Sequence, residues 1–205
     1  MFNPDKKYIH SEGVDLPIMY CYLAGRIAGE CIDKCLAWRH KIINHYANYN
    51  GKGVYPISFL DALNSKESDS IDKKGLTSAI PPNLIYDKDI LSVEKADVVV
   101  AMMDDYMEAG IEDILHFKFP DEPSAKILQN KILERRPNWG TDYEVSIAMY
   151  LKKPVILIAG NERQKAMLDK HPFMKRASVI VGSVDELLEK KWLNLLYKSI
   201  SGAIY

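Results

Sequence analysis

Short unbroken apolar runs alternate along this chain with longer stretches whose apolar positions recur every three or four residues. The first pattern predicts buried strands and the second amphipathic helices. Ile18-Met19-Tyr20-Cys21-Tyr22-Leu23-Ala24 reads as a first strand, ended by Gly25. A helix follows over 29–47, carried by Ile32, Cys35, Leu36, Trp38, Ile42, Ile43 and Tyr46. Val54-Tyr55-Pro56-Ile57 predicts a short second strand, with Pro56 placing it at an edge or a strand end. A helix over 83–95 leads into a continuously apolar third strand over 97–103, as central parallel strands require. Another helix begins near Tyr143, carries Val145, Ile147, Ala148, Met149 and Leu151, and stops at Lys152-Lys153-Pro154. Residues 155–158 form the fourth strand, 161–170 a helix and 178–181 the fifth strand. Ser183 then opens a further helix, with Glu186 at capping-box spacing.

Strands alternating with helices predict a doubly wound, five-stranded parallel sheet of the α/β class, with helices on both faces. Short right-handed crossovers favour a flavodoxin-like or Rossmann-like strand order 2-1-3-4-5. The whole chain, 1–205, reads as one domain without internal repeats. The polar stretch 58–82 reads as a surface loop. Residues 105–137, with weak helical signals, read as an insertion over the site or at a subunit contact.

Composition narrows the function classes. A net charge of −1 gives no field that favours nucleic acid polymers or an anionic membrane. No apolar run approaches the roughly 20 residues of a membrane span, and residues 1–15 lack signal-peptide order. The three cysteines (Cys21, Cys31 and Cys35) point to a reducing, cytoplasmic compartment rather than a disulfide framework. Cys31 and Cys35, four apart on one helix, read as packing residues, because no partner pair follows at zinc-site spacing. No metal site and no cofactor is expected. The Gly25 loop lacks a dinucleotide fingerprint, and there is no phosphate-loop lysine.

The carboxylates are better placed for chemistry. In a doubly wound sheet, ligands bind beyond the carboxyl ends of the strands. Tyr22-Leu23-Ala24-Gly25-Arg26, the end of the third strand and the loop before Glu144 converge there. Glu144 is expected in the first turn of its helix, where the macrodipole favours the ionised form. A rigid carboxylate can attack an electrophilic sugar carbon, although an acid in that position is commonly just a dipole partner. Asp89 falls inside a helix, where aspartate is mildly unfavourable. It reads either as a surface pair with Lys88 or Lys95, or as a group reaching into the pocket.

Several segments resemble the nucleoside 2'-deoxyribosyltransferase family. Tyr22-Leu23-Ala24-Gly25 is similar to its Tyr-x-x-Gly strand end. Tyr86-Asp87-Lys88-Asp89-Ile90 with Lys95-Ala96-Asp97-Val98-Val99 is similar to its aspartate helix and third strand. Gly140-Thr141-Asp142-Tyr143-Glu144, with Ala148 and Lys153-Pro154-Val155, is similar to its nucleophile helix and fourth strand. Gly202-Ala203-Ile204-Tyr205 is similar to its chain terminus. The likeness spans most of the chain outside 1–15, 58–82 and 105–137.

The resemblance implies that Glu144 attacks C1' of a 2'-deoxyribonucleoside, that Tyr22 orients it, and that Asp89 holds the base and manages its proton. Gly25, Arg26, Asn138, Gly140, Ser178 and Tyr205 would contribute to substrate binding. Asn138 departs from the family's usual aspartate, and Ser178 from an asparagine supplied by a neighbouring subunit. The implied reaction exchanges free nucleobases through a deoxyribosyl-Glu intermediate, with retention at C1', in a dimer-based tetramer or hexamer. Two alternatives stay open. One is hydrolysis of nucleosides or nucleoside 5'-monophosphates, with Arg26 near a phosphate. The other is a non-catalytic nucleotide-binding protein.

Overall fold

The apolar runs form strands because each can bury both of its faces. A computed structural model describes residues 8–11, 14–25, 32–50, 55–61, 82–103 and 139–201. Among them are seven strands: β1 (Tyr8–Ser11), β2 (Val14–Pro17), β3 (Met19–Gly25), β4 (Ile57–Asp61), β5 (Val98–Met102), β6 (Val155–Ile158) and β7 (Val179–Val181). The described helices are α1 (Ile32–Asn50), α2 (Pro82–Lys95), α3 (Trp139–Tyr150), α4 (Glu162–Lys170), α5 (Val184–Glu189) and α6 (Trp192–Ser201). None of them is long and apolar enough to cross a membrane.

The last five strands make one parallel sheet in the spatial order β4-β3-β5-β6-β7. Counted over the described strands this is not 2-1-3-4-5. An unforeseen antiparallel hairpin, β1-β2, precedes the sheet and takes the first two places. Within the parallel sheet alone, its first strand lies between its second and third. The sequence concealed the hairpin because its strands, Tyr8-Ile9-His10-Ser11 and Val14-Asp15-Leu16-Pro17, are too short for their alternation to stand out. Tyr197 on α6 ties its end to the body by donating to Pro17 O at 2.8 Å.

Alternation sorts each strand between two cores. Met19, Cys21, Leu23, Val98, Val100, Ile156 and Ile158 pack with Ile42 and Tyr46 of α1, Leu187 of α5, and Leu193 and Tyr197 of α6. Tyr22, Ala24, Val99, Ala101, Val155 and Leu157 pack on the other face with Val93 of α2, Val145 and Ala148 of α3, and Leu168 of α4. Each such Val, Leu or Ile contributes about 1.5–3 kcal/mol by burial.

Three expected boundaries move. The second sheet strand starts after Pro56, whose carbonyl accepts from Met19 N–H at 2.9 Å. Residues 57–61 are therefore strand rather than the beginning of a loop at 58. Proline has no N–H for the ladder, so pairing runs from Ile57 onward, opposite Met19. The Glu144 helix starts at Trp139, about a turn early, and ends in a Schellman motif. There Lys153 N–H reaches Ala148 O (2.9 Å), Lys152 N–H reaches Met149 O (3.1 Å), and Lys152 adopts φ 58°. The capping-box spacing at Ser183 is realised with a twist. Ser183 Oγ accepts from Glu186 N–H at 3.1 Å, but Glu186 reaches back to Gly182 N–H, at 2.6 Å. The Lys190 ammonium chiefly, then the Gly182 N–H and the Lys165 ammonium, hold Glu186 down at about 2.

Candidate active site

A carboxyl group interrupts the buried stripe of α3. Thr141, Glu144, Val145 and Ala148 point inward at helical spacing, whereas Gly140, Tyr143, Ser146 and Tyr150 face outward. Glu144 is only 8% exposed. Chain direction sets its height. α3 descends into the start of β6, so its first half lies nearest the carboxyl ends of the strands.

Opposite it stands Tyr22, fully buried and midway along β3. Its hydroxyl donates to Glu144 Oε1 at 2.6 Å, a short bond of the kind made to carboxylates. Asp89 occupies α2, half-buried, with its charge close enough to act on both groups. Arg39 of α1 acts on the same pair with the opposite sign.

These neighbours decide the protonation of Glu144. Burial is the largest influence and pushes the carboxyl up, because a dry interior disfavours the anion. The Tyr22 hydrogen bond lowers it, the Asp89 charge raises it, and the Arg39 charge lowers it, leaving it at about 8. The expected dipole stabilisation does not hold. Asp142 takes the first turn, and Glu144 sits beyond it, where the dipole's influence has faded. Tyr22 is pushed far above the ordinary phenol range, by burial first and then by the Glu144 and Asp89 charges, so it remains a protonated donor.

The other expected site residues are spread more widely. Gly25 closes β3 and is buried, with a packing reason of its own. A Cβ there would lie 2.7 Å from Trp38 and 3.3 Å from both Arg39 and Met102. Gly140 is exposed in the first turn of α3, and a Cβ there would meet nothing within 4 Å. Ser178 does not join Tyr22 and Glu144 within the chain. It exchanges hydrogen bonds with Val155, its N–H donating at 2.9 Å and its Oγ accepting at 3.2 Å. Val155 starts β6, so Ser178 stands at the amino-terminal edge of the sheet. Arg26, Asn138, Tyr205, the 105–137 insertion and loop residues 62–81 lie outside the described residues.

Sequence reasoning missed Arg39. The signal was present. Cys35, Arg39, Ile42 and Tyr46 form the buried stripe of α1, with an arginine where an apolar residue belongs. Cys21 and Cys35 are buried thiols. Among the described residues, no three His, Cys, Asp or Glu side chains cluster as a metal site would require.

Compared with models of known protein families the chain matches none, and no curated protein matches it in sequence.

Proposed function

We propose that the chain is a nucleoside 2'-deoxyribosyltransferase in which Glu144 is the nucleophile. The observation that carries this reading is a buried carboxyl, hydrogen-bonded by a buried tyrosine and flanked by a second acid, on the strand-end half of a helix. The likeness of the segments around Tyr22, Asp89 and Glu144 to that family supports it.

The chemistry follows from two acids with different duties, as in retaining glycoside hydrolysis. Asp89, an anion at rest, relays a proton from solvent to the departing base while the C1'–N bond breaks. A Glu144 oxygen forms the C1'–O ester as positive charge grows on the sugar. An incoming base nitrogen then displaces that ester at C1', and its proton leaves through Asp89 to solvent. Two inversions leave the configuration retained. Without a 2'-hydroxyl the oxocarbenium-like transition state is easier to reach. A cationic sugar beside Glu144 favours its ionised form, so the site stabilises the transition state more than the resting enzyme. Neither step calls for a cofactor.

The described residues carry no substrate-binding group that separates transfer from hydrolysis. Transfer is preferred because the Gly202-Ala203-Ile204-Tyr205 segment is similar to one found in the transferase family. The same reading has the chain assemble into a homo-oligomer. Leu91 on α2 with Tyr150 and Leu151 at the end of α3 offer exposed apolar surface for such a contact, and light scattering tests it.

The deciding experiment mixes the protein with deoxyinosine and free cytosine. Deoxycytidine with hypoxanthine supports transfer. Hypoxanthine with free deoxyribose supports hydrolysis, and tight binding without turnover supports a nucleotide-binding protein. Glu144→Ala is expected to abolish exchange while keeping the fold.

A further inference from the structure

Arg39 is the bulkiest side chain among the described residues that is wholly shielded from solvent. An arginine so placed needs a reason. A buried cation forfeits its hydration, and a well-packed apolar residue at such a position is commonly as stable or more so. Its guanidinium has specific attachments. Nη1 donates to Cys35 O at 2.5 Å, one turn back on α1, and Nη2 donates to Gly25 O at 3.1 Å. The group also lies over the Trp38 ring, 4.5 Å from its centroid. Gly25 permits this closure, because any Cβ there would press on Trp38 and Arg39. One side chain therefore joins α1 to the last residue of the strand that carries Tyr22, from the face opposite Glu144.

We propose that Arg39 is a positioning residue for the Tyr22–Glu144 pair. It clamps the carboxyl end of β3 through Gly25 and supplies the fixed positive charge that steadies the Glu144 carboxylate. Among the described residues, the titratable groups acting on Glu144 are Tyr22 from β3, Asp89 from α2 and Arg39 from α1. Arg39 is the one permanent cation of the three, since guanidinium does not lose its proton in proteins. It offsets the like charge of Asp89. The catalytic meaning of the clamp rests on the transferase reading, whereas the electrostatic link does not.

The test titrates the Glu144 side-chain carboxyl by carbon-13 NMR without substrate, assigned by its loss in Glu144→Gln. Arg39→Met is expected to raise the midpoint by about one pH unit, the size of a partly screened unit charge acting inside a protein. Arg39→Lys keeps the charge but loses the two-pronged grip. It should hold the midpoint within a few tenths while lowering the unfolding temperature. In the unaltered protein, the nitrogen-15 resonances of the Arg39 guanidinium should shift with the Glu144 midpoint and lose that inflection in Glu144→Gln. An unmoved midpoint in folded Arg39→Met overturns the proposal. If that variant does not fold, guanidinium resonances indifferent to Glu144 overturn it instead. A protein that shows the linked titration yet exchanges no bases keeps the clamp and loses the transferase reading. Base exchange without the link does the reverse.

Discussion

Tyr22 donates its phenolic hydrogen to Glu144 Oε1 at 2.6 Å, joining residues 122 apart in sequence within the second core. Phe in place of Tyr22 would keep the packing and delete the one donor to this carboxyl among the described residues. A hydrogen bond to a charged group is worth about 1.5–3 kcal/mol net, so Tyr22→Phe should slow base exchange about ten- to a hundredfold. The loss should be larger at pH 7 than at pH 9, because the anion then lacks its donor and the carboxyl rises above 8. Rates of both proteins across that range check this. A uniform loss at every pH would contradict the role given to the hydroxyl.

The position of Glu144 has a sign for stability as well as for rate. Its folded value of about 8 stands above the ordinary carboxyl value of 4.5. The native state therefore keeps a proton that the unfolded chain has released between those two pH values. Stability falls as pH rises through that window and levels off above it. The native anion is the penalised form, so Glu144→Gln should gain stability over the unaltered chain on going from pH 5 to pH 9. The gain is on the order of a few kcal/mol. Urea unfolding of both proteins at the two pH values measures it. Turnover by the unaltered chain should rise on its acid limb with a midpoint near 8, since the anion is the nucleophile.

Asp89→Asn separates two roles of that residue. Removing its negative charge relieves Glu144, whose midpoint should move below about 8. The acid limb of turnover therefore shifts to lower pH. The maximal rate should nevertheless fall by about a hundredfold or more, because general-acid help to a leaving group is worth about 10²–10⁴. A pH–rate profile reports both effects. An unshifted limb would mean that Asp89 is too well solvated to act on Glu144.

Strand positions were the most legible part of the sequence. In β5 and β6 the apolar runs are continuous because helices cover both faces. Glu144 and Tyr22 were legible as a pair only through the segments around them, since nothing in a sequence reports a contact across 122 residues. The protonation of Glu144 was misjudged. Its helix begins at Trp139, so dipole stabilisation gave way to burial. Arg39 was overlooked for a related reason. A charge on a helix is ordinarily a solvent-facing residue, and only the buried stripe of Cys35, Ile42 and Tyr46 marks this one as interior.

Lys152 occupies the left-handed region at φ 58° in the motif that ends α3. A side chain there costs roughly 1–2 kcal/mol of backbone strain that glycine avoids, set against the extra freedom glycine has when unfolded. Lys152 is exposed and two residues past the end of the helix. Lys152→Gly should therefore stabilise the chain, by about 0.5–1 kcal/mol. Chemical denaturation measures this with no bearing on turnover.

Gly25→Ala probes the contact between β3 and α1. Its new methyl would lie 2.7 Å from Trp38, whose ring lies against the Arg39 guanidinium, and 3.3 Å from Met102 on the neighbouring strand. Overpacking of this kind typically costs about 1–3 kcal/mol. Trp38 is half-buried, so part of the strain can be released by turning its ring. That movement would carry Arg39 away from Gly25 O and weaken its hold on the strand end. The variant should therefore unfold at lower denaturant and exchange bases more slowly, with its acid limb displaced upward. Trp38→Leu in the same chain should restore much of the stability by making room for the methyl. It would not restore the rate to the same degree, because the ring that lies against Arg39 is gone. Denaturation midpoints and pH–rate profiles of the single and double variants separate the two effects. If the methyl is tolerated with no loss in either measurement, Gly25 is not required for the close approach of α1 to β3.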